Sequence, residues 1–200
     1  VTGSASEVYS MLTDADMTFP AVERPDGDAV EITPNNFTTL QKHPDRAFRE
    51  RVHEAFYDRW EGVRNAVGTA LQKSVTADVK TARIRHYDTA REAALDGPNV
   101  PVSVYDSLLD TVRDNLDVLG RHAELKRDLL GVDELRPWDL YASLSGEEPT
   151  VEYEAACDHV VAAVAPLGEA YQERMREGLD SRWVDVYENR GKRSGAFSSG

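Results

Sequence analysis

The chain has 200 residues, 40% of them hydrophobic, with 23 Lys and Arg against 36 Asp and Glu and a formal net charge of −13. This length and apolar content supply a core for one domain or two small ones and exclude a disordered tail. A single Cys excludes an intramolecular disulfide framework and any multi-Cys metal site, charges interrupt every apolar run before it reaches membrane-spanning length, and the acidity argues against nucleic acid as a partner.

Residues 4–12 read as the last turns of a helix, with Val8 and Met11–Leu12 on one side. Phe19 and Val22, then Pro25-Asp26-Gly27-Asp28, then Val30 and Ile32, predict a β-hairpin around an Asp-Gly turn. Asp26 and Asp28 also suit calcium, but no carboxylate ladder runs on to a twelfth-position Glu, so the turn reading is preferred. Thr33 before Pro34 predicts an N-cap with Pro at the first helical position, opening a short helix to about Leu40.

From Asp45 the apolar residues Phe48, Val52, Phe56, Val63, Val67, Leu71 and Val75 recur at three- and four-residue steps. They predict one or two long helices over 45–86 and a shorter one over 88–95, ended by Asp96-Gly97-Pro98-Asn99. Pro101 then reads as the first residue of a single amphipathic helix through Tyr105, Leu108, Val112, Leu116 and Leu119 to a terminating Gly131. An irregular stretch over 132–150 precedes a last helical pair, Val151 to about Ala165 and Pro166 to Leu179. Gly191, Gly195 and Gly200 forbid a stable helix in the tail, which reads as a loop followed by a short extended segment. The fold class is mainly α, with one short hairpin and a C-terminal edge strand.

Individual side chains offer little chemistry. His53-Glu54 resembles the start of a zinc-peptidase helix, which needs a second His four residues on; Tyr57 stands there, so His53 reads as an exposed helix residue. His43, His86, His122 and His159 are scattered singly. Cys157 sits among Val160, Val161 and Val164 and reads as a small buried hydrophobe. Asp106, Asp110, Asp114 and Asp117 form a stripe that reads as a solvated face opposite the apolar one. The glycine-punctuated tail differs, because its small residues let another backbone lie against it and take main-chain hydrogen bonds. With Lys192 and Arg193 it also suits a phosphate, though without Walker spacing.

The acidity has an internal signature, since Lys contributes only 5 of the basic residues against 18 Arg. Scarce Lys and abundant carboxylates keep a surface hydrated in concentrated salt, where self-repulsion is screened. The expectation is adaptation to a salty cytoplasm, against the plainer reading of a merely acidic, soluble protein; with the family resemblance given below, a haloarchaeal source is expected. Val1 is followed by neither a basic nor an apolar leader region, which predicts no signal peptide and a start inside a longer chain.

Several stretches resemble oligoendopeptidase F, of the thimet-oligopeptidase class of zinc peptidases. They are Ala5 to Leu12, Ala77 to Arg83, Asn99 to Asp106, Trp138-Asp139-Leu140-Tyr141, and Trp183 through Gly200, the last being the most specific. The resemblance implies a two-lobed, helical, cytoplasmic metallopeptidase that hydrolyses short peptides in a deep channel, using zinc held by a His-Glu-x-x-His helix and a downstream Glu. It places 1–41 at the end of an N-terminal lobe and 42–200 in the first half of the catalytic domain, stopping short of the zinc helix. No zinc ligand or catalytic Glu of the family is then expected within these residues, and the fragment alone is expected to be inactive. Gly195, Ala196, Phe197 and Ser198 are implied as a substrate-aligning edge strand, and the rest as channel wall. A rival reading is a non-catalytic helical scaffold or peptide-binding module of the same fold.

Overall fold

A computed structural model of the chain describes residues 3–144 and 151–187, which fall in two compact units divided between 144 and 151. In the first unit, α1 (Ser4–Ser10) continues into a π-helical turn, Met11–Asp16, closed by the Met17 amide on the Leu12 carbonyl at 2.9 Å. The hairpin forms as expected, with β1 (Ala21–Glu23) antiparallel to β2 (Ala29–Glu31) and Val22 opposite Val30. Its loop is a tight turn in which Gly27 takes φ 94°, and the Asp28 amide donates to the Asp26 carboxylate at 3.1 Å. Asp26 is thereby engaged in turn geometry.

The Thr33 hydroxyl accepts from the Asn36 amide at 3.1 Å, but it does so within a turn: regular helix α2 is confined to Phe37–Leu40, and its N-cap is Asn36 and not the expected Thr33. Residues 34–36 form turns instead. α3 (Arg46–Glu61) starts at Asp45, whose carboxylate accepts from the Phe48 amide at 2.7 Å, and α4 (Arg64–Ile84) follows after Gly62 and Val63. α5 (Ala90–Asp96) is capped by Thr89, whose hydroxyl accepts from the Glu92 amide at 3.0 Å. The first unit's core lies where the hairpin and α2 meet α3: Met17, Phe19, Val22, Ile32, Leu40, Phe48, Val52 and Phe56 are all buried. Phe56 stacks between Phe19 and Phe37, with ring centroids 4.8 and 4.1 Å away.

The long helix expected over 101–131 is two helices, α6 (Val102–Asp114) and α7 (Leu116–Leu130). The break is at Asn115, which leaves helical geometry at φ −114°, ψ 16°. Its side-chain amide donates to the Thr111 carbonyl at 2.7 Å and its backbone amide to Val112 at 3.2 Å, a three-residue step that replaces the helical bond. Pro101, extended at ψ 141°, is the N-cap and not the first helical residue.

Three helix ends share one design. His86, Asn99 and Gly131 all take the left-handed conformation, at φ 66°, 56° and 63°. At each, the next amide reaches back five residues, as in Tyr87 to Ala82, Val100 to Leu95 and Val132 to Arg127. These bonds satisfy carbonyls that the helix end would otherwise orphan.

The second unit holds α8 (Tyr153–Ala163), a 3₁₀ turn (Ala165–Leu167) and α9 (Glu169–Asp180). Pro166 therefore sits in the 3₁₀ turn and does not start α9, which begins beyond Gly168 at φ 96°. Arg176 and Asp158 tie α9 to α8 through an ion pair of 2.6 Å. Cys157 is buried at 6% exposure, as its apolar neighbours predict.

Candidate functional site

Gly195, Ala196, Phe197 and Ser198, the residues expected to align substrate, lie outside the described residues, as do residues 188–194, where a loop was expected. What is described is the chain entering that segment. α9 ends at Asp180, Arg182 turns in the left-handed region at φ 62°, and Trp183 folds back onto Gly178. Tyr187 then lies against Tyr153 of α8, ring centroids 6.3 Å apart.

Sequence spacing puts His53 on an exposed helical face, and the structure corrects this. Its ring is half-buried among Tyr57 at 4.5 Å, Trp138 at 5.6 Å and Phe37 at 6.4 Å between centroids. Trp138, 85 positions along the chain, covers a face that α3 alone would leave open. Burial lowers the imidazole's pKa below its usual value, against the opposing pull of the Glu54 carboxylate. Among the described residues no three His, Cys, Asp or Glu side chains come close enough together to hold a metal ion. The side chain at 57 is a phenol packed edge-on to Phe37 and Phe56. This surrounding fits an aromatic cluster and does not fit a zinc ion.

The most strongly built polar cluster is one that local sequence patterns do not reveal. Asp139 is fully buried in the 3₁₀ turn Pro137–Asp139 and holds two arginines of α3. Arg49, itself 4% exposed, donates to the Asp139 carboxylate at 2.9 Å, to the Trp138 carbonyl at 2.9 Å, and to the His43 and Pro44 carbonyls at 2.8 and 3.0 Å. Arg46 reaches the same carboxylate from Nη2 at 2.8 Å and Nε at 3.0 Å, and the Arg136 amide adds a further donor at 2.9 Å. Burial alone would raise the Asp139 pKa; the hydrogen bonds from Arg46, the Arg136 amide and Arg49 outweigh it and hold the carboxyl at about 2. This cluster fastens the 137–139 turn to the start of α3. The partners stand in the sequence as Arg46 and Arg49 near the start of α3 and as the Trp138-Asp139-Leu140-Tyr141 stretch, but no spacing joins the two.

The carboxylate stripe of α6 and α7 is solvated, as expected: Asp110 and Asp117 make exposed pairs with Arg113 and Arg121, and Asp106 with Arg91 of α5. Along the same helices Val104, Leu108, Val112, Leu119 and Leu129 are exposed, and Leu71, Val75 and Ile84 of α4 likewise. Apolar stripes this long on paired helices are surfaces built to be covered or to line a cavity. No helix of the described residues is long and apolar enough to cross a membrane.

Residues 39–200 match the signature of Peptidase family M3. Over 201 aligned residues the chain is 41% identical to Oligopeptidase PepF of Bacillus subtilis, covering 100% of this chain and 30% of that protein. Group B oligopeptidase PepB of Streptococcus agalactiae is 37% identical over 198 residues, 99% of this chain and 33% of its own length. Among solved structures, oligoendopeptidase-F from Enterococcus faecium superposes with a TM-score of 0.71 at 32% identity, over 89% of this chain and 33% of that one. The chain thus spans about a third of the length of the relatives it matches.

Proposed function

This chain belongs to Peptidase family M3, and from that premise we propose that it forms part of a zinc-dependent oligoendopeptidase that hydrolyses short peptides in the cytoplasm of a salt-adapted organism. The observation that carries the reading is the match itself, which runs in order over essentially the whole chain and includes the specific segment from Trp183 to Gly200. Zinc and its ligands are assigned to a part of the protein outside these 200 residues. This part supplies channel wall from the exposed apolar helix faces and a substrate-aligning strand at Gly195, Ala196, Phe197 and Ser198. Residues 1–41 belong to the end of an N-terminal lobe and 42–200 to the first half of the catalytic domain; the family match beginning at residue 39 supports that division.

The experiment uses the complete protein and a set of short fluorogenic peptides. Chelation abolishes hydrolysis and added zinc restores it. Ala196→Pro, which removes an amide and fixes φ, lowers kcat/KM while zinc content stays unchanged. Hydrolysis indifferent to chelation overturns the zinc assignment, and an Ala196→Pro variant with unaltered kinetics overturns the aligning strand.

A further inference from the structure

β1 leaves one edge of the hairpin unpaired, and the register fixes what that edge offers. The Ile32 amide donates to the Pro20 carbonyl at 3.2 Å and the Arg24 amide to the Asp28 carbonyl at 2.7 Å, with Val22 opposite Val30 between them. Bonded and non-bonded pairs alternate along an antiparallel ladder, so Val22 turns its backbone groups to β2 while Ala21 and Glu23 turn theirs outward. Arg51 of α3 already donates to the Glu23 carbonyl at 3.1 Å, and Pro20 has no amide to offer. The open edge is therefore three groups in a row: the Ala21 amide, the Ala21 carbonyl and the Glu23 amide. Arg51, Glu54 and Asp58, spaced along one face of α3, form the opposite wall of a cleft of about 670 Å³, with Arg24 at its Glu23 end. Arg59 donates to the Thr18 carbonyl at 3.0 Å, so the strand runs antiparallel to α3, with Glu23 at the Arg51 end and Ala21 toward Asp58. Among the described residues the side chains of Arg24, Arg51 and Asp58 make no ion pair.

We propose that the cleft between β1 and α3 binds a tripeptide with both termini free, lying parallel to β1. The carbonyl of its first residue accepts from the Ala21 amide, the amide of its third donates to the Ala21 carbonyl, and its terminal carboxylate accepts from the Glu23 amide. This is the slanted bonding of a parallel pair. The carboxylate then lies at the end held by Arg24 and Arg51, and the ammonium toward Asp58. The opposite direction would set the ammonium against two guanidinium groups and the carboxylate against Asp58. The span agrees as well, since the helix rises about 10.5 Å from Arg51 to Asp58 and three extended residues cover about 10 Å. A longer strand finds no further edge groups, because Pro20 closes one end and the Arg51 bond the other. Glu23 and Glu54 add negative charge to the cleft, which disfavours peptides with acidic side chains. The site needs neither zinc nor residues 195–198.

The test uses the complete protein stripped of zinc, so that no peptide is cut, with trialanine, N-acetyl-trialanine and trialanine amide at low ionic strength. The readout is hydrogen exchange at the Ala21 and Glu23 amides. Trialanine at ten times its dissociation constant slows both about tenfold. Arg24→Gln and Asp58→Asn each raise the trialanine concentration required about fivefold, as the loss of one exposed charge pair does. Arg24→Gln leaves trialanine amide unaffected and Asp58→Asn leaves the acetylated peptide unaffected, because the charge each side chain faces is already gone. Ala21→Pro, which removes an outward amide and no bond to β2, weakens all three peptides alike, by about fivefold at the Glu23 amide. If Ala21→Pro fails to fold, the two exposed charge variants carry the test. Exchange that is already slow without peptide, or unaltered by it, overturns the proposal. So do charge variants that weaken all three peptides equally, and so does the reversed pattern of terminus dependence. Because nothing is hydrolysed, a failed chelation experiment leaves this site standing, and a failure here leaves the zinc assignment standing.

Discussion

Replacing Asp139 by Asn keeps the side chain's shape and removes the charge that two arginines share. The carboxyl is held at about 2 against an ordinary value of 3.8. A difference of that size corresponds to about 2 kcal/mol of stability at neutral pH. The sign follows from the direction: a depressed carboxylate stabilises above its unfolded pKa and loses that contribution as pH falls through the folded one. The contribution is therefore full above about pH 5, falls to about half by pH 3 and nearly vanishes at pH 2. Asp139→Asn should lower stability by about 2 kcal/mol at pH 7, and the gap to the parent should close on acidification, since the parent's own carboxyl then becomes neutral. Asp139→Ala, which also strands the buried Arg49 guanidinium, should cost about 3–5 kcal/mol. Urea unfolding followed by tryptophan fluorescence at pH 7, 5, 4 and 3 measures both, with Trp138 adjacent to the lesion. A parent–variant gap that stays constant to pH 3, or one below about 0.5 kcal/mol at pH 7, refutes the argument that this carboxylate is a stabilising anion.

The remaining predictions concern charge, backbone and metal. With a net charge of −13, the chain should melt higher as potassium chloride rises from low to molar concentration, each 1 kcal/mol of relieved repulsion adding about 2–4 °C; a flat or falling series removes the salt-adaptation reading. Gly131→Ala, at φ 63° with open space around the new methyl group, should cost about 1 kcal/mol from backbone alone, whereas His86→Gly at φ 66° should lose nothing or gain slightly; equal effects at the two sites would contradict the left-handed argument. The 200-residue chain, washed with chelator and dialysed against zinc, should hold no stoichiometric metal, and one tightly retained zinc per chain would refute the assignment of its ligands elsewhere.

Most helices were legible in the sequence because their signals are local. The three- and four-residue apolar steps of 45–86, the Asp26-Gly27 turn and the C′ glycine at 131 each act within a few residues of the backbone they shape. Legibility failed where local rules compete: the apolar stripe runs unbroken through 115, but the Asn115 side chain captures the Thr111 carbonyl and divides the helix. The aligning role proposed for Gly195, Ala196, Phe197 and Ser198 draws on the family resemblance and on the small residues of the tail, which lie outside the described residues.

Sequence by itself thus determined a mainly helical chain, its hairpin and the ends of most helices. Tertiary structure decided which charged and aromatic groups are inside. Nothing within its own helix marks Arg49 as buried until Asp139, 90 positions away, is brought beside it. His53 reads as exposed until Trp138 covers it, and no helical spacing marks Gly178 as the place where Trp183 packs. Helical spacing is enforced between residues three and four apart and leaves a periodic trace. A contact closed across ninety residues imposes no period on the chain between, and so exists only once the fold has brought its partners together.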